Sequence, residues 1–99
     1  MSRRKVYVVN DGGHDYSDAE RFGDIELCTF GAIDRLDIAM MYRELSPILE
    51  NAHADDYSIM TSLNSLCCVA TAIMVQQFGR VNYLLYKDGK YVERTLMLE

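Results

Sequence analysis

The sequence predicts an α/β fold: a three-layer sandwich on a mainly parallel sheet, in the order β-α-β-α-β-α-β-β, ending in an antiparallel hairpin. Three observations carry that expectation. Short runs of β-branched and aromatic residues, the first at Val6, Tyr7, Val8 and Val9, alternate with longer stretches whose apolar residues recur at helical spacing. Two of the strand-like runs, residues 5–10 and 57–61, pass directly into polar turn-forming stretches and then into a helix. Near the end, Asp88-Gly89 separates two further strand-like runs, the strongest short hairpin signal in the chain.

Residues 5–10 read as a strand covered on both faces, because four apolar side chains follow one another without alternation. Gly12 and Gly13 then break the chain, Ser17 or Asp18 offers a cap for a short helix through Phe22, and Gly23 stops it. Residues 25–30 form a second strand, closed by Gly31. Asp34 and Asp37 put carboxylates at a helix start, where the helix dipole favours negative charge. Ile38, Met41, Tyr42, Leu45, Ile48, Leu49 and Ala52 follow on one helical face. Pro47 removes the amide that would bond to Arg43, so a kink is expected there, or a restart capped by Ser46.

The third strand takes residues 57–61. The helix after it, residues 64–78, is apolar on nearly every side, which calls for deep burial or a subunit interface, and Gly79 ends it. Residues 81–86 and 91–97 make the closing strands. No linker, repeat or low-complexity segment divides the 99 residues, so a single α/β domain spanning residues 1–99 is expected.

A chain that is 49% apolar with a single proline has the composition of a packed globule and not of a disordered segment. Its formal net charge of −5 opposes contact with a nucleic-acid backbone or an anionic membrane surface, and Arg3-Arg4-Lys5 reads as a solvated terminus before the first strand. No leader-like start and no unbroken apolar span stands out, so a cytoplasmic location is expected. Cys28, Cys67 and Cys68 lie in apolar runs without a Cys-x-x-Cys, and they read as small buried hydrophobes, reduced and free of metal.

If the first and third strands are parallel, both polar turns open at the carboxyl edge of the sheet, where α/β folds bind ligands. The first turn brings Asn10, Asp11, His14, Asp15, Tyr16 and Ser17 together. His14 beside Asp15 has the composition of a general acid or base with an orienting carboxylate; the same residues also suit a glycine turn whose Asp and Ser cap the next helix. Around the second turn, Thr61, Ser62, Asn64 and Ser65 place hydroxyl and amide groups beside helix-terminal N–H groups, a setting for phosphate or carboxylate. Ordinary N-capping by Ser62 or Asn64 accounts for one of them. Lys87 and Lys90 face each other across the hairpin tip, as the rim of an anion site or as charged guards of an edge strand. The expected ligand site is therefore Asn10, His14, Asp15, Ser62, Asn64 and Ser65, with Lys87 or Lys90 at its rim.

No catalytic residue, metal ligand or cofactor is expected. The chain lacks Gly-x-Gly-x-x-Gly, the Gly-x-x-x-x-Gly-Lys phosphate loop and the Gly-x-Ser-x-Gly elbow, and His14 and His53 are far apart in sequence. His53 belongs to the polar loop before the third strand, at the opposite edge. Tyr83, Tyr86 and Tyr91 fall in the hairpin, where cross-strand packing is the simplest use of their rings.

The run Val6-Tyr-Val-Val-Asn-Asp-Gly-Gly-His-Asp-Tyr-Ser-Asp-Ala-Glu-Arg-Phe-Gly23 resembles the opening of small proteins encoded by tailed bacteriophages. Asp55-Asp-Tyr57, Thr61-Ser-Leu-Asn-Ser-Leu-Cys67 and Tyr86-Lys-Asp-Gly-Lys-Tyr-Val-Glu-Arg94 resemble later blocks of the same proteins. The resemblance implies a phage product in the host cytoplasm that acts on the host or accompanies the virion, and it carries over no functional residue. Three functions compete. One is non-catalytic capture of a small phosphorylated or nucleotide-like ligand, as in sequestering a host defence signal. The second is an interaction protein that uses its hairpin or apolar helix against itself or a host protein; under any of the three, the apolarity of residues 64–78 leads to an expected homodimer or larger assembly. The third is a small nucleotide phosphodiesterase using His14. Capture is the expectation, since an enzyme needs a nucleophile, a base and a charge-stabilising group in mutual reach, and only the last has more than one candidate.

Overall fold

The computed structural model describes residues 3–61 and 63–98. Its elements run β1 (Lys5–Val8), a 3₁₀ helix (Ser17–Arg21), β2 (Asp24–Leu27), α1 (Ile38–Leu49), β3 (Tyr57–Ile59), α2 (Asn64–Phe78), β4 (Arg80–Lys87) and β5 (Lys90–Met97). The strands form one sheet in the order β2-β1-β3-β4-β5. β1 pairs parallel with β2 and β3, β3 pairs parallel with β4, and β4 and β5 are antiparallel. A mainly parallel sheet closed by an antiparallel hairpin is therefore what the chain builds.

The continuous apolar run of β1 is explained by cover on both faces. Tyr7 and Val9 point to one side with Val81, beneath Met41, Leu45 and Leu49 of α1 and Leu66, Ala70 and Met74 of α2. Val6 and Val8 point to the other with Tyr57, Ile59 and Leu84, where Ala19 of the 3₁₀ helix packs. That second cover is thin: the short helix expected between β1 and β2 is a 3₁₀ turn of five residues. Its return into β2 depends on Gly23, because a Cβ there would stand 2.2 Å from the carbonyl oxygen of Arg4, which accepts the Asp24 N–H at 2.8 Å.

Several local expectations are corrected. α1 runs through Pro47 as one helix with no restart at Ser46. Pro47 stands in its last turns, and the carbonyl it orphans belongs to Arg43, an exposed residue that water can serve. Asp37 caps α1 as expected, its carboxylate accepting the Met40 N–H at 3.0 Å. Neither Ser17 nor Asp18 caps the 3₁₀ helix; Asp15 Oδ1 instead accepts the Ser17 N–H at 2.9 Å. The cap position of α2 is Leu63, and Asn64 is already helical, so it does not cap. Thr61 and Cys67 hold that entry in its place: Thr61 Oγ1 accepts from Leu63 N at 3.0 Å, and Cys67 Sγ donates to Thr61 O at 3.3 Å.

Gly79 ends α2 in the left-handed conformation at φ 70°. The Asp88-Gly89 loop has φ 52° and 83°, the paired left-handed residues that match the twist of a two-residue hairpin. All three cysteines are free thiols, but only Cys28 is buried; Cys67 is half-buried and Cys68 is exposed. The all-round apolarity of α2 is resolved in the same way. One side is buried through Leu66, Ala70, Ile73 and Met74, and the exposed positions are the polar Asn64, Gln76 and Gln77 and the small Cys68 and Ala72.

Candidate functional site

The chain leaves β1 over the face of the 3₁₀ helix and leaves β3 over the face of α2. Adjacent parallel strands whose connections depart over opposite faces define a crevice at their carboxyl ends, and ligands of open α/β sheets bind there. A cleft of about 650 Å³ opens at that point. Its floor is Ile59 and Met60 at the end of β3 with Leu84 of β4 alongside, and three loops and the hairpin build its walls.

The loop after β1 contributes Asn10, His14, Asp15 and Tyr16. Most of its polar groups are already engaged in holding its shape. Asn10 Oδ1 lies 2.9 Å from Thr29 Oγ1, and its Nδ2 donates to Gly31 O at 3.3 Å, tying the first loop to the one after β2. Asp11 Oδ1 accepts the N–H of Gly13, which needs φ 84° for the turn. The backbone N–H and hydroxyl of Ser17 hold the Asp15 carboxyl below the usual carboxylate range, so it stays ionised. His14 is exposed, with its ring edge-on to Tyr16 at 6.4 Å between centroids. Asp15 accepts from Ser17, and no hydrogen bond joins it to His14 among the described residues.

The loop after β2 supplies Ile33 and Arg35, and the loop after β3 supplies Thr61 and Leu63. Arg35 is the one arginine or lysine lining the cleft among the described residues. Ser65 donates from Oγ to the Arg35 carbonyl oxygen at 2.8 Å, so the start of α2 holds the loop that carries this cation.

The fourth wall is the hairpin. β3 ends opposite Leu84, while β4 continues to Lys87, so Leu85 and Tyr86 project beyond the sheet with Tyr91 beside them. Tyr86 and Tyr91 are cross-strand neighbours with rings edge-to-face at 5.1 Å, the packing expected from the sequence. Burial, with Tyr16 and Tyr86 close by, raises the pKa of the Tyr91 phenol and keeps it neutral. The wall is fixed to the 3₁₀ helix by two bonds: Tyr91 N donates to Asp18 Oδ2 at 2.7 Å, and Arg21 donates to Tyr91 O at 2.6 Å.

Of the residues expected at a ligand site, Asn10, His14 and Asp15 line the cleft, in the company of Thr61. Asn64 and Ser65 do not line it, Ser65 acting through Arg35 instead. Lys87 and Lys90 pair across the hairpin tip, away from the cleft lining. Ser62 lies outside the described residues. His53 sits in the turn before β3, at the amino edge, where its N–H goes to Asp56 Oδ2. The lining residues that the sequence did not assign to a ligand site are Arg35, Tyr16, Tyr86 and Tyr91. Arg35 had a signal: residues 31–37 link β2 to α1 and so make a third loop at the carboxyl edge. No group of three His, Cys, Asp or Glu suited to a metal occurs among the described residues.

The molecule is thus a mixed α/β protein with a ligand-sized cleft at the carboxyl edge of its sheet. Over residues 4–98 it matches the family model described as Phage Pam3 gp32-like protein, and it belongs to that family. The resemblance to small phage proteins is borne out. No curated protein and no solved structure matches the chain. No helix among the described residues is long and apolar enough to cross a membrane.

Proposed function

We propose that the protein captures a small phosphorylated or nucleotide-like ligand in this cleft without turning it over. The observation that carries the reading is the cleft itself: about 650 Å³ at the strand crossover, with three tyrosines and a single arginine in its lining. Tyr16, Tyr86 and Tyr91 offer ring edges and faces to a planar base, and Arg35 offers a forked donor to one phosphate or carboxylate. One arginine opposite an ionised Asp15 suits a ligand with little charge, such as a nucleoside monophosphate or a cyclic nucleotide, better than a triphosphate. Turnover is disfavoured because, among the described residues, His14 has no hydrogen-bonded carboxylate partner and no activated nucleophile beside it. In this reading the 3₁₀ helix is the thin third layer of the sandwich, and its service is to brace the tyrosine wall. For a phage product in the host cytoplasm, such capture would withhold a signal from host defence.

Calorimetric titration of the chain with linear and cyclic mononucleotides tests the proposal. One of them should bind, return intact after heat denaturation, and lose about 10–100-fold in affinity on Arg35→Ala, the worth of a charge-assisted bond of about 1.5–3 kcal/mol. Consumption of a nucleotide by the unaltered chain but not by His14→Ala establishes the enzyme instead. Absence of binding across the panel removes the nucleotide reading.

A further inference from the structure

We propose that β5 pairs with β5 of a second copy of this chain, antiparallel about a two-fold axis at Thr95, so that two five-stranded sheets run on as one. The inference begins with the direction of backbone groups. Leu98 N donates to Gly79 O at 3.0 Å, and β4 and β5 stay in continuous register from Arg80 opposite Met97 to Lys87 opposite Lys90. Antiparallel alternation then turns the backbone of Val92, Arg94 and Leu96 toward β4, and that of Tyr91, Glu93, Thr95 and Met97 outward.

At Tyr91 the outward groups are stoppered. Asp18 takes its N–H and Arg21 its carbonyl, so the 3₁₀ helix mimics a neighbouring strand for one residue. The stopper goes no further. Of the outward groups of Glu93, Thr95 and Met97, the Glu93 carbonyl alone has a bond among the described residues, from the guanidinium of the neighbouring Arg94 at 2.7 Å. That bond is exposed, and a carbonyl keeps a second lone pair.

The two edges of the sheet are treated differently. β2 is four residues long, and its Asp24 and Glu26 are paired with Arg3 and Lys5, the usual guard of an edge. β5 is eight residues long, has no bulge or proline, carries its charges at Lys90, Glu93 and Arg94, and ends on exposed Leu96 and Met97, with exposed Leu98 just beyond it. A long regular edge with an apolar end is a template for another strand.

The sequence of β5 fits itself in one register. With Thr95 opposite Thr95 of the second copy, Glu93 faces Met97, Arg94 faces Leu96 and Val92 faces Leu98. Every outward N–H and carbonyl from Glu93 to Met97 then finds a partner, and no like charges meet. Moving the axis to Arg94 sets that arginine against itself and Met97 against the stoppered Tyr91. Moving it to Glu93 opposes two carboxylates, and moving it to Leu96 carries Glu93 past Leu98. Lys90, Glu93 and Arg94 mix both signs along this edge although the whole chain carries −5, so the diffuse negative charge does not forbid self-association here. The cleft uses the tip end of β5 and the pairing surface the other end, so each can fail without the other.

Size-exclusion chromatography with light scattering at micromolar concentration decides the matter, comparing Met97→Glu with Met97→Lys. Met97 is 55% exposed, and both changes remove the same apolar surface. Glutamate at this position meets Glu93 of the second copy on both sides of the axis, whereas lysine meets it favourably. The unaltered chain and Met97→Lys should run at twice the 11.3 kDa monomer mass, and Met97→Glu at 11.3 kDa. An unaltered chain that runs at 11.3 kDa overturns the proposal, and so do two variants that behave alike.

Discussion

Removing the Asp18 carboxylate should free the tyrosine wall of the cleft well before it unfolds the chain. Asp18 Oδ2 accepts the Tyr91 N–H at 2.7 Å, and Asp18 lies 3.6 Å from Arg21, which donates to the Tyr91 carbonyl at 2.6 Å. A backbone N–H bonded to a carboxylate contributes about 1.5–3 kcal/mol, the lower figure applying where water can take over. The side chains of Asp18 and Arg21 are 32% and 52% exposed, so the ion pair adds only about 0.3–0.5 kcal/mol. Asp18→Ala should therefore cost about 2 kcal/mol, out of a total stability of about 5–15 kcal/mol for a domain of this size. At about 4–8 °C per kcal/mol the melting temperature falls by about 8–16 °C. Asp18→Asn keeps an acceptor without the charge and should lose about half as much. Hydrogen exchange supplies the local readout: the Tyr91 amide should exchange about 10-fold faster or more in Asp18→Ala, while amides of Val81 and Leu84 follow the global loss alone. Unchanged Tyr91 exchange together with an unchanged melting temperature would refute the clamp.

Two further outcomes rest on other parts of the fold. Asp56 is buried at the amino edge, its two carboxylate oxygens accepting from Lys5 N at 2.9 Å and His53 N at 2.8 Å, so Asp56→Ala should cost about 3 kcal/mol or more in urea unfolding, and Asp56→Asn less. A loss under about 1 kcal/mol would mean that the carboxylate is not what joins β1 to β3 there. On the alkaline side, burial raises the phenols of Tyr7, Tyr57 and Tyr91 and pushes the Cys28 thiol up to about 12. The folded state holds these groups neutral where the unfolded chain ionises. Their contribution is complete below the unfolded values, about 8.5 for the thiol and 10 for the phenols, and is lost as pH rises through and above them. Melting temperature should be level from about pH 6 to 8 and fall above about pH 9, with Cys28→Ala delaying the onset; a level profile to about pH 11 would contradict the burial of these groups.

The strands and helices were legible because apolar periodicity reports which faces must be covered, and in this chain cover and period agree. Val6 to Val9 show no alternation since α1, α2 and the 3₁₀ helix bury both sides of β1. The strand ends were less legible. Apolar residues continue to Val9, yet β1 stops at Val8, because the chain must part from β3 to make the cleft. Val9 N still reaches Ile59 O at 3.3 Å, and thereafter β1 stays with the β2 side, through Asp11 N to Thr29 O at 2.8 Å. A single sequence contains no mark for that divergence, since it depends on two strands distant along the chain. The expected restart at Pro47 does not occur for a different reason: the carbonyl it orphans belongs to the exposed Arg43 and can bond to water, and exposure is a tertiary fact.

Part of the lining of the candidate cleft was legible, and the rest has a chemical logic. Short polar residues in tight turns find backbone N–H and carbonyl groups within their own reach, so their presence reports a turn before it reports a ligand. Asp11, Asp15 and Thr61 behave in this way, each bonded to a backbone N–H two residues on, while Asn10 and Ser65 bond to the backbone of another loop. Once they have fixed the loops, what remains to face the cleft is longer: the rings of Tyr16, Tyr86 and Tyr91 and the guanidinium of Arg35. Of these, Tyr86 and Tyr91 come from the hairpin, which enters the site only because β4 outruns β3 at the carboxyl edge. Under the proposed function, capture in this cleft would depend on how firmly the hairpin is held, and the hold comes from Asp18 and Arg21, residues outside the cleft lining. A substitution at either should weaken any ligand that uses the tyrosine wall while leaving the Arg35 contact in place, whereas Arg35→Ala should do the reverse. The two effects should add, because the clamp and the arginine are carried on different loops with no bond between them among the described residues.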